Sequence, residues 1–392
     1  MITLIITVCT MLLIGYLGEI SSERTRIPNV IVLLLLGWLA RQMVLIFDWE
    51  VPDLFPFLPL LGTIGLILIV LEGSLELRIN PAKYRVIRKS VIMAITPMFL
   101  ISLTFGVSFS LYAGTSFYNG LINSLPLAVV SSSIAIPSAR NISPAHREFV
   151  IYESSFSDII GVLFFNFLSA NTRIDLPSVG LFLLQIILVT LVSLFSVMGL
   201  SYMLGRVKNH ISYTPILLLV LLIYALAKAV DLSGLLFILV FGLFLENIQA
   251  MKNIPVVKNI ISKIDTSEFN LEVIKFRSIT VEATFLMRSL FFILFGYVMD
   301  TKEFLDLETL PWAFGVVIFI FGSRYFLLKL FKIPVLPILF FSPRGLVTVL
   351  LFLSVKPGLQ IGIVNNSLII QVIILSVIFM TLGLLRHREP GI

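Results

Sequence analysis

Residues 152–161 read YESSFSDIIG and lie inside an apolar segment, residues 149–170, that is long enough to cross a bilayer. Two carboxylates, Glu153 and Asp158, and three serines therefore stand at a depth where lipid would surround them. Each ionisable group at the centre of a membrane helix costs roughly 2.5–3.5 kcal/mol. A chain tolerates this cost when the groups face protein or water and have partners. We therefore interpret the rest of the chain as scaffold and partners for this stretch.

The composition is that of a membrane protein. Of the 392 residues, 58% are hydrophobic and 13% are charged, and the mean hydropathy is +1.06. Apolar runs of about 18 or more residues recur along the chain, and each predicts a transmembrane helix. The net charge of +6 comes mostly from loop lysines and arginines. It therefore indicates membrane orientation and not nucleic-acid binding.

Cysteine and histidine usage excludes several kinds of site. Cys9 is the only cysteine and lies in an apolar run, so no internal disulfide and no cysteine metal site is expected. The three histidines, His146, His210 and His387, fall in predicted loops. An intramembrane hydrolase or acyl transferase would need a base beside a serine nucleophile, and none is visible. We predict that the protein is not an enzyme and uses no cofactor.

The apolar runs predict an all-α membrane protein with about thirteen spans. They are residues 2–19, 27–47, 55–75, 90–112, 118–139, 148–170, 177–204, 212–230, 233–248, 279–299, 310–330, 334–355 and 361–385. Basic residues concentrate in alternate loops, which predicts an outside N-terminus and a cytoplasmic C-terminus. One long cytoplasmic loop is expected at residues 247–278, with a surface helix near residues 254–264. Residues 1–392 are interpreted as a single transmembrane transporter domain without a soluble domain.

Two spans do not read as continuous helices. Span five contains residues 131–137, SSSIAIP, and span twelve contains residues 342–345, SPRG. Serine competes for backbone hydrogen bonds, proline removes a donor and glycine loosens the helix. Broken helices at matched positions in two halves of a transporter indicate a binding site. Spans one to six and eight to thirteen would form an inverted repeat with span seven as linker; the alternative is two unrelated kinked helices.

The residues that carry chemistry are expected at one depth. Span six enters from the cytoplasm near Phe149, so Asp158 lies near the midplane at a rise of ~1.5 Å per residue. Arg344 and Arg288 reach a similar depth, as do residues 131–133 from the other side. A carboxylate with hydroxyl and carbonyl oxygens suits an alkali cation or a proton. A carboxylate that binds either a proton or a metal cation, one after the other, can exchange one of these ions for the other.

Roles follow for the polar residues of the spans. The predicted monovalent cation-binding residues are Asp158, Ser157, Ser154 and Ser132, and the supporting residues are Ser131, Ser133, Arg288 and Glu72. Pairing Glu153 with an arginine would leave Asp158 free to bind an ion. The alternative is that the buried charges form salt bridges that only specify packing. Arg324 is interpreted as a structural or lipid-headgroup residue.

Two motifs resemble those of a known superfamily. Glu153-x-x-x-Ser157-Asp158, followed by Gly161, is like the Glu-x-x-x-Asn-Asp of monovalent cation:proton antiporters, and residues 343–347, PRGLV, are like their Arg-Gly-x-Val run. Residues 71–75 and 288–296 are weaker matches in the expected order. The chain thus resembles NhaP-type sodium/proton exchangers and their potassium-efflux relatives.

The resemblance implies a thirteen-helix inverted repeat in which broken spans five and twelve cross beside span six. It also implies a homodimer, ion binding at Asp158 and an ion pair between Glu153 and Arg344. Ser157 replaces the family's asparagine or aspartate and adds no titratable group, so electroneutral exchange is expected. Residues 131–133 lack the carboxylate and proline of the family's Thr-Asp-Pro and are more like the potassium-efflux branch.

The function implied is secondary antiport of a monovalent cation for H⁺ by alternating access, in the plasma membrane of a bacterium. Na⁺ is the first expectation, with K⁺ or Li⁺ as alternatives. The expected partners are these ions, membrane lipid and a second copy of the chain. A potassium-efflux or channel-like protein on the same scaffold is the main alternative, and a membrane sensor without transport is a further one.

Overall fold

The structure, a computed structural model, describes residues 2–25, 28–48, 54, 56–77, 83–171, 176–204, 221–222, 224–225, 234–247 and 266–386. Within these ranges the regular elements are helices and there is no β-strand, which confirms the all-α prediction. The α-helices of the described residues are α1 (Ile2–Thr25), α2 (Asn29–Ile46), α3 (Phe57–Glu76), α4 (Tyr84–Ala113), α5 (Phe117–Ala128), α6 (Ser132–Ser138), α7 (Pro144–Ala170), α8 (Leu176–Leu204), α9 (Gly234–Glu246), α10 (Thr266–Val298), α11 (Thr301–Phe304), α12 (Leu310–Leu330), α13 (Leu346–Leu353) and α14 (Asn366–Arg386).

Seven helical stretches of the described residues are long and apolar enough to cross a membrane, judged by length and composition. They are Asn29–Ile46, Phe57–Glu76, Tyr84–Ala113, Phe117–Ser138, Val273–Val298, Leu310–Leu330 and Asn366–Arg386. The helix that carries Asp158, α7, is not among these seven stretches.

The chain divides into two compact units. The first comprises Met1–Leu66, Val86–Gly161 and Leu286–Ile392, and the second comprises Ile67–Arg85 and Val162–Phe285. Asp158, Ser131, Arg288 and Arg344 all belong to the first unit.

In the first unit, α2 and α10 approach closely at two glycines. A Cβ atom on Gly37 would lie 2.0 Å from the carbonyl oxygen of Ile293, and one on Gly296 would lie 2.2 Å from that of Leu34. Small residues let membrane helices bring their backbones together, which maximises packing where no hydrophobic effect drives association. This contact therefore depends on the glycines.

In the second unit, polar side chains join the helices through backbone carbonyls. The Ser193 hydroxyl of α8 donates to the carbonyl oxygen of Phe237 in α9 at 3.3 Å. Asn247, directly after α9, donates from Nδ2 to the carbonyl oxygen of Leu77 at 2.8 Å. Hydrogen bonds of this kind between membrane helices add modestly to stability and fix their register.

Two interruptions are present, and the second includes the predicted residues 342–345. The first lies at residues 129–131, not over the predicted residues 131–137, because all of that stretch except Ser131 is helical in α6. Residues 129–131 are not helical and separate α5 from α6. Residues 331–345 precede α13 and contain only one helical turn, Ile338–Phe340. Prolines at 334, 337 and 343 explain the second interruption, because proline cannot donate the helical hydrogen bond. The interruptions expose backbone groups that need partners from elsewhere.

Some predicted boundaries are wrong. Span twelve was expected to be a broken helix over residues 334–355, but its only α-helical part is α13, which the single turn Ile338–Phe340 precedes. The loop expected at residues 247–278 ends earlier, because α10 already begins at Thr266. The first turns of α10 contain no proline or glycine that would interrupt the helix. The surface helix expected near residues 254–264, and most of span eight, lie outside the described residues.

Candidate functional site

Asp158 of α7 lies against the start of α6. Its side-chain oxygen Oδ2 accepts a hydrogen bond from the backbone N–H of Ser132 at 3.0 Å. The residue is 3% exposed, and Oδ1 is buried without a hydrogen-bond partner among the described residues. Buried polar atoms are rarely left unbonded, because desolvation then goes uncompensated. This oxygen is therefore available to a ligand.

Ser157, the neighbour of Asp158, supports the first interruption. Its Oγ accepts a hydrogen bond from the backbone N–H of Val130 at 2.9 Å. Val130 lies between α5 and α6, where no helical carbonyl is available to that N–H. The hydroxyl thus replaces a missing backbone partner. The ion-binding role predicted for Ser157 stays a prediction; the contact that the structure shows for its oxygen is with the backbone of Val130.

The two interruptions contact each other. The backbone N–H of Ser131 donates to the carbonyl oxygen of Pro343 at 3.0 Å, and the hydroxyls of Ser131 and Ser133 lie 2.8 Å apart. A Cβ atom on Gly345 would lie 2.7 Å from the Ser131 Oγ. Glycine is needed at this position because the two non-helical segments come so close.

Arg344 is fully buried and binds backbone carbonyls. Its Nε donates to the carbonyl oxygen of Leu127 at 2.6 Å, in the last turn of α5. Its Nη1 donates to Ser342, to the carbonyl oxygen at 3.0 Å and to Oγ at 3.1 Å. A cation near the C-terminus of a helix is favourable because the unpaired carbonyls there carry partial negative charge. Arg344 therefore joins α5 to the second interruption.

The predicted ion pair between Glu153 and Arg344 is wrong. Glu153 instead pairs with Arg324 of α12, which donates to both carboxylate oxygens, from Nη1 to Oε1 and from Nη2 to Oε2 at 2.7 Å. Arg324 also donates from Nε and Nη2 to the carbonyl oxygen of Ile338, at 3.1 Å each. The guanidinium fork matches a carboxylate with two parallel bonds. Arg344 has its own carbonyl partners and acts on this pair only electrostatically.

The pair confirms a structural role for Arg324, one of the two roles predicted for it. Its partner Glu153 was missed because Arg324 was expected toward a helix end. The signal that could have found it was an arginine inside an otherwise apolar span, since such a charge needs a buried partner. The structure places Arg324 next to the turn Ile338–Phe340, and its guanidinium donates to the first carbonyl of that turn.

The two serines before Phe156 differ in their contacts. Ser154, a predicted ligand, donates within α7 to the carbonyl oxygen of Val150 at 2.8 Å. Ser155 is 1% exposed, and its hydroxyl has no hydrogen-bond partner in the described part of the chain. Ser155 was not among the predicted ion ligands, although its position three residues before Asp158 places it on the same helix face.

The remaining predicted residues flank this group or lie elsewhere. Arg288 of α10 donates from Nη1 to the carbonyl oxygen of Ser133 at 3.1 Å. Arg288 and Ser133 also line a small cavity together with Asn29 and Ser138. Glu72 is half-buried in α3 and belongs to the second unit. The first unit thus brings together Asp158, the serines of the interruption and three arginines.

The residues around Asp158 offer oxygen ligands for a cation, next to an ion pair whose charges cancel. Glu153 and Arg324 neutralise each other, and no hydrogen bond or ion pair of the described residues joins Asp158 to a cation. Its unbonded oxygen and nearby serine hydroxyls are hard ligands, which suit an alkali cation or a proton.

Comparison with protein families identifies the chain. Residues 8–386 match the model of the transmembrane domain of sodium/hydrogen exchangers. The chain belongs to the sodium/hydrogen exchanger family. This membership confirms the predicted superfamily and the prediction of a transporter that is not an enzyme. With the seven apolar stretches, it also confirms that this exchanger is a multi-pass membrane protein.

The exchanger shares its fold with a solved antiporter. A structure of the sodium proton antiporter MjNhaP1 from Methanocaldococcus jannaschii at pH 8 has a TM-score of 0.71 and 20% identity, covering 97% of this chain and 99% of the other. An electron-microscopy structure of the same protein has a TM-score of 0.69 and 21% identity over 100% of both chains. Among curated proteins, no match to the exchanger was found.

Proposed function

We propose that this exchanger is a secondary antiporter that moves Na⁺ and H⁺ in opposite directions through Asp158. The observation that carries the proposal is the buried Oδ1 of Asp158, which has no hydrogen-bond partner among the described residues. An ionised carboxylate in this position needs a cation or a proton. Since one oxygen cannot hold both, binding of the cation releases the proton.

The proposed cation ligands are the Asp158 carboxylate and the hydroxyls of Ser132 and Ser155. Ser132 already lies beside the carboxylate, and Ser155 offers a buried hydroxyl without another partner in the described ranges. Ser154 stays a candidate, because its oxygen keeps a lone pair while it donates to the helix. We assign Ser157 to the support of the interruption.

Electroneutral exchange is part of the proposal. Glu153 is held in a two-bond pair with Arg324, so it has little reason to change its charge during transport. Ser157 adds no titratable group beside Asp158. One carboxylate then alternates between one H⁺ and one monovalent cation, which gives a one-for-one exchange.

We further propose alternating access around the two interruptions. Two contacts join the interruptions, from Ser131 to Pro343 and from Arg344 to Leu127. We propose that these contacts keep the ion site intact while the segments that carry it move. The proposed architecture is a single transporter domain of thirteen spans in an inverted repeat, with crossing broken helices. The proposed assembly is a homodimer. The proposed setting is a bacterial plasma membrane, with the N-terminus outside and the C-terminus in the cytoplasm.

A second candidate is a potassium-efflux or channel-like protein on the same scaffold. It is favoured by one observation: residues 129–133 supply backbone and hydroxyl groups but no carboxylate. With fewer carboxylates at the site, cation binding depends less on the release of a proton, so cation flux is coupled less strictly to H⁺. This candidate predicts K⁺ flux with weak pH coupling that survives neutralisation of Asp158.

The test uses purified exchanger in liposomes with an internal pH dye. Na⁺, K⁺ or Li⁺ is added outside, and wild type is compared with Asp158→Asn. We expect a pH change with Na⁺ that the variant loses. The matched control is Asp48→Asn, which removes an exposed carboxylate at a φ of 52° that asparagine also adopts.

The possible results separate the candidates. A pH change with K⁺ alone, lost in the variant, would keep the mechanism and replace the cation. Full exchange in Asp158→Asn would refute the assignment of the site. Cation flux without a pH change, unaffected by the variant, would favour the channel-like candidate.

A further inference from the structure

We infer that the start of α4 and the end of α12 form a binding site for the headgroup of an anionic phospholipid. Four residues, here named the basic cluster, define it: Arg88, Lys89, Lys329 and Lys332. Arg88 and Lys89 lie near the start of α4, Lys329 lies in the last turn of α12, and Lys332 follows that helix. All four belong to the first unit.

The fold holds these charges together. Lys89 donates from Nζ to the carbonyl oxygen of Lys332 at 2.9 Å. Beneath this contact lies a buried apolar core that includes Met93, Leu328 and Ile333. Burial of that core stabilises the approach of the two helix ends. Lys89, Lys329 and Lys332 therefore stay close even though like charges repel one another, and Arg88 adjoins Lys89 in the chain.

Among the described residues, the basic cluster has no acidic partner. Arg88, Lys329 and Lys332 are exposed, and no member forms an ion pair within the described ranges. The Lys329 ammonium lies 4.5 Å from the centroid of the Tyr325 ring, which is a cation–π contact. An anion that reaches several members would relieve their mutual repulsion.

The surface beside the basic cluster is apolar. Phe326 is 63% exposed, Leu330 58% and Leu336 45%. A membrane helix with an exposed apolar flank and basic residues at its end fits a ligand that carries both an anionic head and acyl chains. Free phosphate would use only the charges. We therefore assign the site to an anionic diacyl lipid, with phosphatidylglycerol as the probe.

The experiment measures which lipid the full-length exchanger retains. Protein purified and delipidated in an uncharged detergent receives equal amounts of phosphatidylglycerol and phosphatidylcholine with identical acyl chains. Bound lipid is then counted by native mass spectrometry. The test variant is Lys329→Gln/Lys332→Asn, because Lys332 has a φ of 51° that asparagine tolerates. Lys89 is kept, since its contact holds the two helix ends together.

The matched control removes the same charge elsewhere. Lys302→Gln/Lys356→Gln loses two exposed lysines outside the basic cluster. We expect wild type and control to prefer phosphatidylglycerol. Each basic residue near an anionic headgroup contributes about a fivefold factor, so the test variant should lose about 25-fold of that preference.

Three results would overturn the inference. One is equal retention of both lipids by wild type, which would mark the basic cluster as an ordinary solvated face. Another is an equal loss in test and control variants, which would reduce the effect to net charge. The third is displacement of the lipid by glycerol phosphate at equal concentration, which would exclude a role for the apolar flank. A melting curve of each variant shows that it is folded.

Discussion

Removing Arg324 should destabilise the exchanger more than any other single change at the site. The variant Arg324→Met keeps the length of the side chain but leaves the Glu153 carboxylate buried, at 1% exposure, without its partner. The carbonyl oxygen of Ile338 also loses its two bonds. A buried charge without a partner is much less favourable than a buried pair, because nothing compensates its lost hydration.

The magnitude follows from those contacts. Breaking a buried ion pair by removing one partner costs about 3–5 kcal/mol, whereas replacing both partners is often close to neutral. We therefore expect Arg324→Met and Glu153→Gln to destabilise individually, and the double variant to destabilise by about 2 kcal/mol less than their sum. Arg344→Met combined with Glu153→Gln should be additive to within about 1 kcal/mol, since those two share no hydrogen bond.

The assay is a pair of double-mutant cycles. Unfolding free energies are measured in mixed micelles by titration with a denaturing detergent, followed by tryptophan fluorescence and checked for reversibility. One cycle crosses Glu153→Gln with Arg324→Met, and the other crosses it with Arg344→Met. The coupling energies of the two cycles are then compared directly.

A larger coupling of Glu153 to Arg344 than to Arg324 would refute this account of the site. It would restore the pair that the sequence predicts. No coupling in either cycle would mean that neither arginine stabilises the carboxylate, and the two-bond geometry would then contribute nothing measurable.

Three further predictions follow from the same geometry. Ser155→Ala should raise the KM for the transported cation about tenfold by removing an unbonded ligand, while Ser154→Ala should change it less; equal effects in liposome transport would remove Ser155 from the ligand set. Because H⁺ and the cation compete for Asp158, the apparent KM for the cation should rise as pH falls, by up to about tenfold per pH unit; a pH-independent KM would contradict the competition. Gly161→Ala should lower the yield of folded protein, because the added Cβ would lie 2.4 Å from the Val129 side chain. Overpacking of this kind destabilises the folded state by about 1–3 kcal/mol. Adding Val129→Ala should restore the yield, and a failure to do so would show that the clash is not the cause.

Much of the fold and part of the site could be predicted without the structure. Apolar runs of membrane length predict helices because the bilayer leaves few other ways to satisfy the backbone. Serine, proline and glycine within residues 342–345 predicted the second interruption, whereas the first lies at residues 129–131, at the edge of the predicted stretch 131–137. Asp158 stood out because an isolated carboxylate in an apolar span needs a reason to be there.

The sequence alone determined the membrane class, the helical fold and the selection of Asp158 as the candidate ion-binding residue, since each depends on local hydropathy or on one residue's chemistry. Only the tertiary structure decided the partners. Glu153 pairs with Arg324 and not Arg344, and Ser157 supports Val130, because these contacts join residues far apart in the chain. Spacing gives the depth and face of a side chain, but which neighbouring helix it meets depends on packing across the whole unit.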